Sequence, residues 1–103
     1  MKVYLAGPMR GYAEFNFPAF YAYAKKLRNE GHEVFSPAEK DNERHGTAHG
    51  FNLREALAVD LEFICKHADA VALMPGWEKS KGATAEKSAA DALGLELIYL
   101  GAL

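Results

Sequence analysis

The chain has 103 residues, of which 50% are hydrophobic and 25% charged, and its formal net charge is −2 at pH 7. This length is typical of one domain with a small core, so we expect a single domain over residues 1–103. The near-neutral charge does not favour a nucleic-acid polymer or a membrane surface as a partner, so any anion must be bound by a local cluster of donors.

The apolar segments and the cysteine content predict a cytoplasmic protein. The first apolar stretch, MKVYLAGP, is too short for a signal peptide, and no apolar run reaches membrane-spanning length. The single cysteine, Cys65, has no partner for an internal disulfide. Its apolar helical context predicts a reduced residue in the core.

Four short apolar runs alternate with three stretches of helical spacing. In chain order, the patterns predict strand 2–6, helix 18–30, strand 33–36, a polar loop at 38–51, helix 52–67, strand 70–74, helix 83–93 and strand 96–100. Pro18 suits the first turn of the first helix, and Gly31 and Gly94 suit helix ends.

This β-α-β-α-β-α-β alternation predicts an α/β fold with three layers, α/β/α, in which helices cover both faces of a parallel sheet of the Rossmann or flavodoxin-like type. With a strand order of 2-1-3-4, a crevice opens between strands 1 and 3 at their carboxyl ends. The loops that follow those strands, 7–16 and 75–81, are therefore where we expect a functional site.

Both loops carry groups suited to a phosphate. Gly7 and Gly11 permit close backbone approach, and Arg10 between them offers a fork of donors. Ser80 and Gly82 precede the third helix, whose first amides favour an anion. Neither loop has a Walker or dinucleotide fingerprint. A tight turn with a solvated arginine, and a serine that only caps the helix, are the alternatives.

Two carboxylates fall on apolar helix faces. Helical spacing sets Glu86 on a stripe of alanines near the start of the third helix, and Asp60 on the apolar stripe of the second. A helix-dipole acid and a buried aspartate bonded to a loop are the structural interpretations. As a pair, inward carboxylates are typical of glycosyl transfer, in which one attacks the anomeric carbon and the other protonates the leaving group.

Several other side chains have two interpretations each. Tyr4 either reaches the crevice or fills the core, and Trp77 either stacks on a base or covers its own loop. His45 and His49 lie in a predicted loop with no third ligand nearby, so we expect no metal site and no cofactor. One aromatic group either packs the first helix or forms a partner interface, such as that of a homodimer: Tyr12, Phe15, Phe17 and residues 20–23.

Together these residues resemble the nucleoside 2-deoxyribosyltransferase superfamily, which includes the deoxynucleoside 5′-monophosphate N-glycosidases. The resemblance covers nearly the whole chain and is carried by YLAGPMRG, by Asp60-Leu61 with Ala68-Asp69-Ala70-Val71, and by SKGATAEKSAADALG. The overall form, with PGWEKSKGA, is also similar to short proteins common in phages and prophages.

The resemblance implies a role for each site residue. Glu86 matches the nucleophile, Asp60 the aspartate that assists departure of the base, and Tyr4 the tyrosine near the sugar. A serine at position 80 favours a nucleotide, because transferases acting on free nucleosides tend to carry an acid there. The loop at 75–81, with Trp77, is longer than in the N-glycosidases. Two loops are implied to hold the 5′-phosphate, the first through Gly7, Met9, Arg10 and Gly11 and the second through Ser80 and Gly82.

The resulting hypothesis is an enzyme that hydrolyses, or transfers at, the N-glycosidic bond of a nucleoside 5′-monophosphate through a glutamate nucleophile. A non-catalytic nucleotide-sensing module of the same fold is the alternative. A phosphoribohydrolase with a PGGxGTxxE loop ranks lower, because Pro75 and Gly76 are followed by Trp77 rather than a second glycine. The base, the sugar and the oligomeric state stay open.

Overall fold

The computed structural model describes residues 1–40 and 53–103. Residues 37–40 are helical, so the loop predicted at 38–51 is wrong for residues 38–40. The rest of that predicted loop, with His45 and His49, lies outside the described residues. The strands are β1 (Lys2–Ala6), β2 (Glu33–Phe35), β3 (Ala70–Leu73) and β4 (Glu96–Tyr99), and the longer helices are α1 (Phe17–Asn29), α2 (Leu53–Lys66) and α3 (Lys81–Leu93).

The sheet has the predicted topology. All neighbouring strands are parallel, and their order is β2-β1-β3-β4. Tyr4 on β1 lies beside Val71 on β3, and Ala6 lies beside Leu73. Because the chain leaves β1 toward one edge of the sheet and returns to β3 on the other side, the carboxyl ends of these two strands flank a crevice.

The predicted three layers are confirmed by the side chains that each face of the sheet buries. On one face Val3 and Leu5 pack with Phe20 and Leu27 of α1. On the other face Tyr4 and Ala6 belong to a second cluster, with residues of α2 and α3. This division follows from the two-residue period of a strand, which sends successive side chains of β1 to opposite faces.

The buried stripe of α2 is narrower than its sequence indicates. Ala56, Asp60 and Ile64, four residues apart, are buried. Leu53, at the start of the same helix, is 50% exposed, and Cys65, predicted in the core, is also exposed. Each residue of a helix is rotated by about 100° from the one before it. Cys65 therefore points away from the packed face, although Phe63 and Ile64 precede it.

Within the described residues, every helix is too short or too polar to traverse a bilayer.

Candidate active site

A cleft of about 660 Å³ opens at the carboxyl ends of β1 and β3. Its volume lies in the range of small-molecule binding sites. It is lined by both loops predicted to carry a site, together with parts of α2 and α3. The predicted site residues that line it are Tyr4, Gly7, Met9, Arg10, Asp60, Ser80, Gly82 and Glu86.

One predicted site residue, Gly11, is not among those that line the cleft. Its φ of +84° lies in the left-handed region, where glycine has no Cβ to strain. Gly11 therefore shapes the turn after β1 without facing the cleft.

The floor of the cleft is a buried cluster of Tyr4, Glu86 and Asp60. The Tyr4 hydroxyl donates a hydrogen bond of 2.7 Å to Glu86 Oε2, joining β1 to α3. Glu86 is 5% exposed and Asp60 is 7% exposed. Ala83 and Ala90, which precede and follow Glu86 on the same helix face, are fully buried, so the small side chains let α3 approach the sheet where the carboxylate points inward.

The pKa of Tyr4 is raised well above its ordinary value of 10.0. Burial is the largest cause, followed by the negative charges of Glu86 and Asp60. A tyrosinate there would be a desolvated anion beside two carboxylates, which both effects oppose. Tyr4 therefore stays a neutral hydrogen-bond donor at neutral pH, rather than a base.

Glu86 lies in the second turn of α3, not in the first as its sequence position indicates. The helix begins at Lys81, two residues earlier than predicted, because Ser80 caps it: the Ser80 side chain accepts a hydrogen bond of 3.1 Å from the Ala83 amide. Attraction between a carboxylate and the helix dipole falls off within the first turn. The helix-dipole interpretation of Glu86 is thus weakened.

The rim of the cleft is cationic. Arg10, Lys79 and Lys81 line it and are exposed. None of them forms an ion pair within residues 1–40 and 53–103. The cleft therefore separates charge, with carboxylates on the floor and cations at the mouth. The sequence did not single out Lys79 as a site residue. The stretch EKSK, with a lysine on each side of the capping serine, would have indicated a cationic rim.

One wall of the cleft is apolar. Tyr12 and Phe15 of the first loop line it, with Phe17 at the start of α1. Leu53 and Leu57 of α2 also line it. The sequence allowed two interpretations of these aromatic residues, packing of the first helix or a partner interface. Their position beside the buried carboxylates gives the cleft a surface suited to a flat, weakly polar group.

Trp77 is not among the residues that line the cleft. Its ring centroid lies 6.2 Å from that of Tyr99, and Lys87 Nζ lies 5.7 Å from the centre of the indole. Trp77 therefore packs against β4 and α3, which favours the packing interpretation over stacking on a base. No group of three histidine, cysteine or acidic residues in the described ranges could hold a metal ion.

Comparison with known proteins identifies the family. A family model described as a domain of unknown function (DUF4406) matches residues 1–99, and the chain belongs to this family. No curated protein and no solved structure matches the chain.

Proposed function

We propose that this DUF4406 domain cleaves the N-glycosidic bond of a nucleoside 5′-monophosphate, with Glu86 as the nucleophile. The observation that carries the proposal is the buried hydrogen bond between Tyr4 and Glu86, on the floor of a cleft that Asp60 also lines. The resemblance of its motifs to the nucleoside 2-deoxyribosyltransferase superfamily supports the same assignment.

The charge distribution of the cleft favours a ligand with one anionic end. A 5′-phosphate would lie at the rim, beside Arg10, Lys79 and Lys81 and the first amides of α3. The base would lie against the aromatic wall, since stacking on such rings does not depend on a particular base. The sugar between them would bring its anomeric carbon toward the carboxylates.

The reaction proceeds in two steps. A Glu86 carboxylate oxygen forms a bond to the anomeric carbon while the bond from that carbon to the base nitrogen breaks, and the electron pair leaves with the base. The leaving base takes a proton from water, or from Asp60 in the fraction of molecules in which that carboxyl is protonated. Water then attacks the anomeric carbon of the glycosyl-enzyme ester and gives its proton to Asp60 or to other water. The bond from that carbon to the Glu86 oxygen breaks, which releases the sugar phosphate and restores the carboxylate. Capture by a second base instead of water would make the same intermediate a transferase step.

Tyr4 holds the nucleophile in place. Its hydroxyl donates to one oxygen of Glu86, which fixes the orientation of the carboxylate plane. Because burial and the neighbouring charges raise the pKa of Tyr4, this donor is not lost when the cleft operates near neutral pH.

The proposal is tested by incubating the protein with ribo- and deoxynucleoside 5′-monophosphates and measuring free base by chromatography. Glu86→Gln keeps the size of the side chain and one oxygen that can accept from Tyr4, but it removes the nucleophile. We therefore expect cleavage to fall by at least about a thousandfold. Nucleotide binding should survive, and Trp77, the only tryptophan, reports it by fluorescence from the second loop.

Glu78→Gln is the matched control, because Glu78 is an exposed glutamate in the loop before α3 and does not line the cleft. It should cleave like the wild type. Equal rates for Glu86→Gln and wild type would show that the nucleophile is wrongly assigned. Binding by the wild type without release of base, at high protein concentration and long times, would favour the nucleotide-sensing module.

A further inference from the structure

The loops after β1 and β3 are in direct contact through a glycine. Gly76 has a φ of +88°, and a Cβ built on it would lie 3.0 Å from the Tyr12 hydroxyl oxygen and 3.4 Å from Pro8 Cγ. Tyr12 therefore lies against the backbone of the opposite loop, where a Cβ would require a shift of a few tenths of an ångström. Such a close approach is a reason for glycine in addition to the left-handed backbone.

A second glycine makes the reciprocal contact. A Cβ on Gly7 would lie 2.7 Å from Met74 Sδ and 2.9 Å from Met74 Cβ. Each loop thus presents a glycine on which a side chain of the other loop rests. The Met74 amide also donates to the Ala6 carbonyl at 2.9 Å, which continues the pairing of β1 and β3 up to the contact.

The first loop is closed on itself around Arg10. The Tyr12 amide donates to the Met9 carbonyl at 3.3 Å, and Asn16 Nδ2 donates to the Pro8 carbonyl at 2.9 Å. Arg10 lies inside this closed turn, between the residues that touch Gly76. The position of its guanidinium relative to Ser80 therefore depends on how the two loops meet.

We infer that Tyr12 is a positioning residue, which rests on Gly76 and so fixes the spacing between the Arg10 loop and the Ser80 loop before a ligand binds. The inference rests on the proposed function, since it makes the contact a determinant of phosphate recognition. A site already at the correct spacing does not spend binding free energy on ordering two loops. The contact therefore contributes more to ligands that bear a phosphate than to the nucleoside, which meets the ring of Tyr12 but not Arg10 or Ser80.

The test is Gly76→Ala, with the 2′-deoxynucleoside 5′-monophosphates and their nucleosides as probes and Trp77 fluorescence as the binding signal. The added methyl group lies 3.0 Å from the Tyr12 hydroxyl, so we expect Tyr12 and the first loop to move by a few tenths of an ångström relative to the second loop. We expect the preference for nucleotide over nucleoside to fall by roughly three- to tenfold, less than the hundredfold or so that a misplacement of about 1 Å can cause. Affinity for the nucleoside should change much less.

Gly31→Ala is the matched control for backbone strain. Gly31 has a φ of +97°, but a Cβ there meets nothing within 4 Å. Both variants bear the cost of a left-handed alanine, and only Gly76→Ala disturbs the loops. We expect Gly31→Ala to lose stability and keep the nucleotide preference of the wild type.

A double variant separates the contact from the strain. In Gly76→Ala/Tyr12→Phe the hydroxyl oxygen at 3.0 Å is gone, while the strained backbone remains. We expect the double variant to recover nucleotide preference at least about twofold over Gly76→Ala, as coupled neighbours do. Tyr21→Phe, at a tyrosine of similar exposure (42% against 44% for Tyr12), should have no effect in either background.

Amide hydrogen exchange gives a readout that does not depend on nucleotide binding. Gly76→Ala should speed exchange at the Tyr12 and Phe15 amides, whose hydrogen bonds close the first loop, whereas Gly31→Ala should not. Equal exchange in the two variants, or an unchanged nucleotide preference in Gly76→Ala, would overturn the inference. If Gly76→Ala exchanges faster but the wild type neither binds nor cleaves nucleotides, the loop contact is supported and the proposed function is refuted.

Discussion

Tyr4 owes its position to the two-residue period of β1. Val3 and Leu5 turn toward α1, so Tyr4 turns toward the face that α2 and α3 cover, where Glu86 and Asp60 lie. The sequence left open whether this tyrosine fills the core or reaches the crevice. It does both, because a phenol ring packs with Phe35 and Phe63 while its hydroxyl extends to the floor of the cleft.

Tyr4→Phe is expected to lower the free energy of unfolding by about 1–3 kcal/mol at neutral pH, because it removes the donor to a buried carboxylate. The folded state holds the Tyr4 proton more tightly than the unfolded chain, whose tyrosine pKa is near 10.0. The stabilisation is therefore complete below that pH and declines as pH rises above it. Urea denaturation of both proteins over this range checks the difference; a difference that stays constant above pH 10 would contradict it.

At the scale of elements, Ser80 has two roles, one at the end of the second loop and one at the start of α3. Its hydroxyl caps α3, and the same residue lines the cleft between Lys79 and Lys81. The sequence predicted the helix to begin at Ala83 because Gly82 reads as a loop residue. A serine cap followed by free amides began it two residues earlier, which shifted Glu86 into the second turn.

Two substitutions at Ser80 separate the cap from the phosphate site. Ser80→Ala loses the hydrogen bond to the Ala83 amide and should reduce stability by about 1 kcal/mol. Ser80→Asp restores a good cap, so its stability should match the wild type, but its charge repels a phosphate at the rim. We expect Ser80→Asp to weaken nucleotide binding at least about tenfold while nucleoside binding is kept.

Thermal denaturation and fluorescence titration of both Ser80 variants provide the two measurements. If Ser80→Asp bound nucleotides as tightly as the wild type, the phosphate would not lie at the amino terminus of α3. Lys26→Gln is a suitable charge control, since it changes the net charge by the same amount as Ser80→Asp. Lys26 is exposed on α1 and pairs with Glu30 rather than lining the cleft.

The whole molecule is held by two apolar layers, one on each face of a four-stranded sheet. Phe20 is fully buried in the layer beneath α1, whereas its neighbour Tyr21 is 42% exposed. A domain of this size has only about 5–15 kcal/mol of stability, so the loss of one large core side chain is a substantial fraction of the total. The cleft depends on both layers, since β1 separates them and carries Tyr4.

Phe20→Ala should reduce the free energy of unfolding by about 3–5 kcal/mol, through lost apolar burial and the cavity that remains. Tyr21→Ala, the adjacent exposed substitution, should cost less than about 1 kcal/mol. Urea midpoints of both variants measure the difference, and similar midpoints would mean that the layer beneath α1 contributes little to stability.

The sequence by itself determined the order of elements, the parallel sheet and the loops that flank the crevice. These follow from local properties: apolar runs of strand length, helical spacing, and alternation that only a crossover topology satisfies. The stripe of alanines around Glu86 and the charge within the α2 stripe also marked the two inward carboxylates in advance. Their roles in catalysis stay predictions.

Only the tertiary structure determined which side chains are in contact and which are exposed. It shows the hydrogen bond between Tyr4 and Glu86 and the close approach of Tyr12 to Gly76. It also shows that Cys65 and Leu53 are exposed. Each of these depends on how a helix rotates against the sheet or how two distant loops touch, and a periodic pattern fixes neither. Distances between elements arise from packing of the whole chain, so no local stretch of sequence contains them.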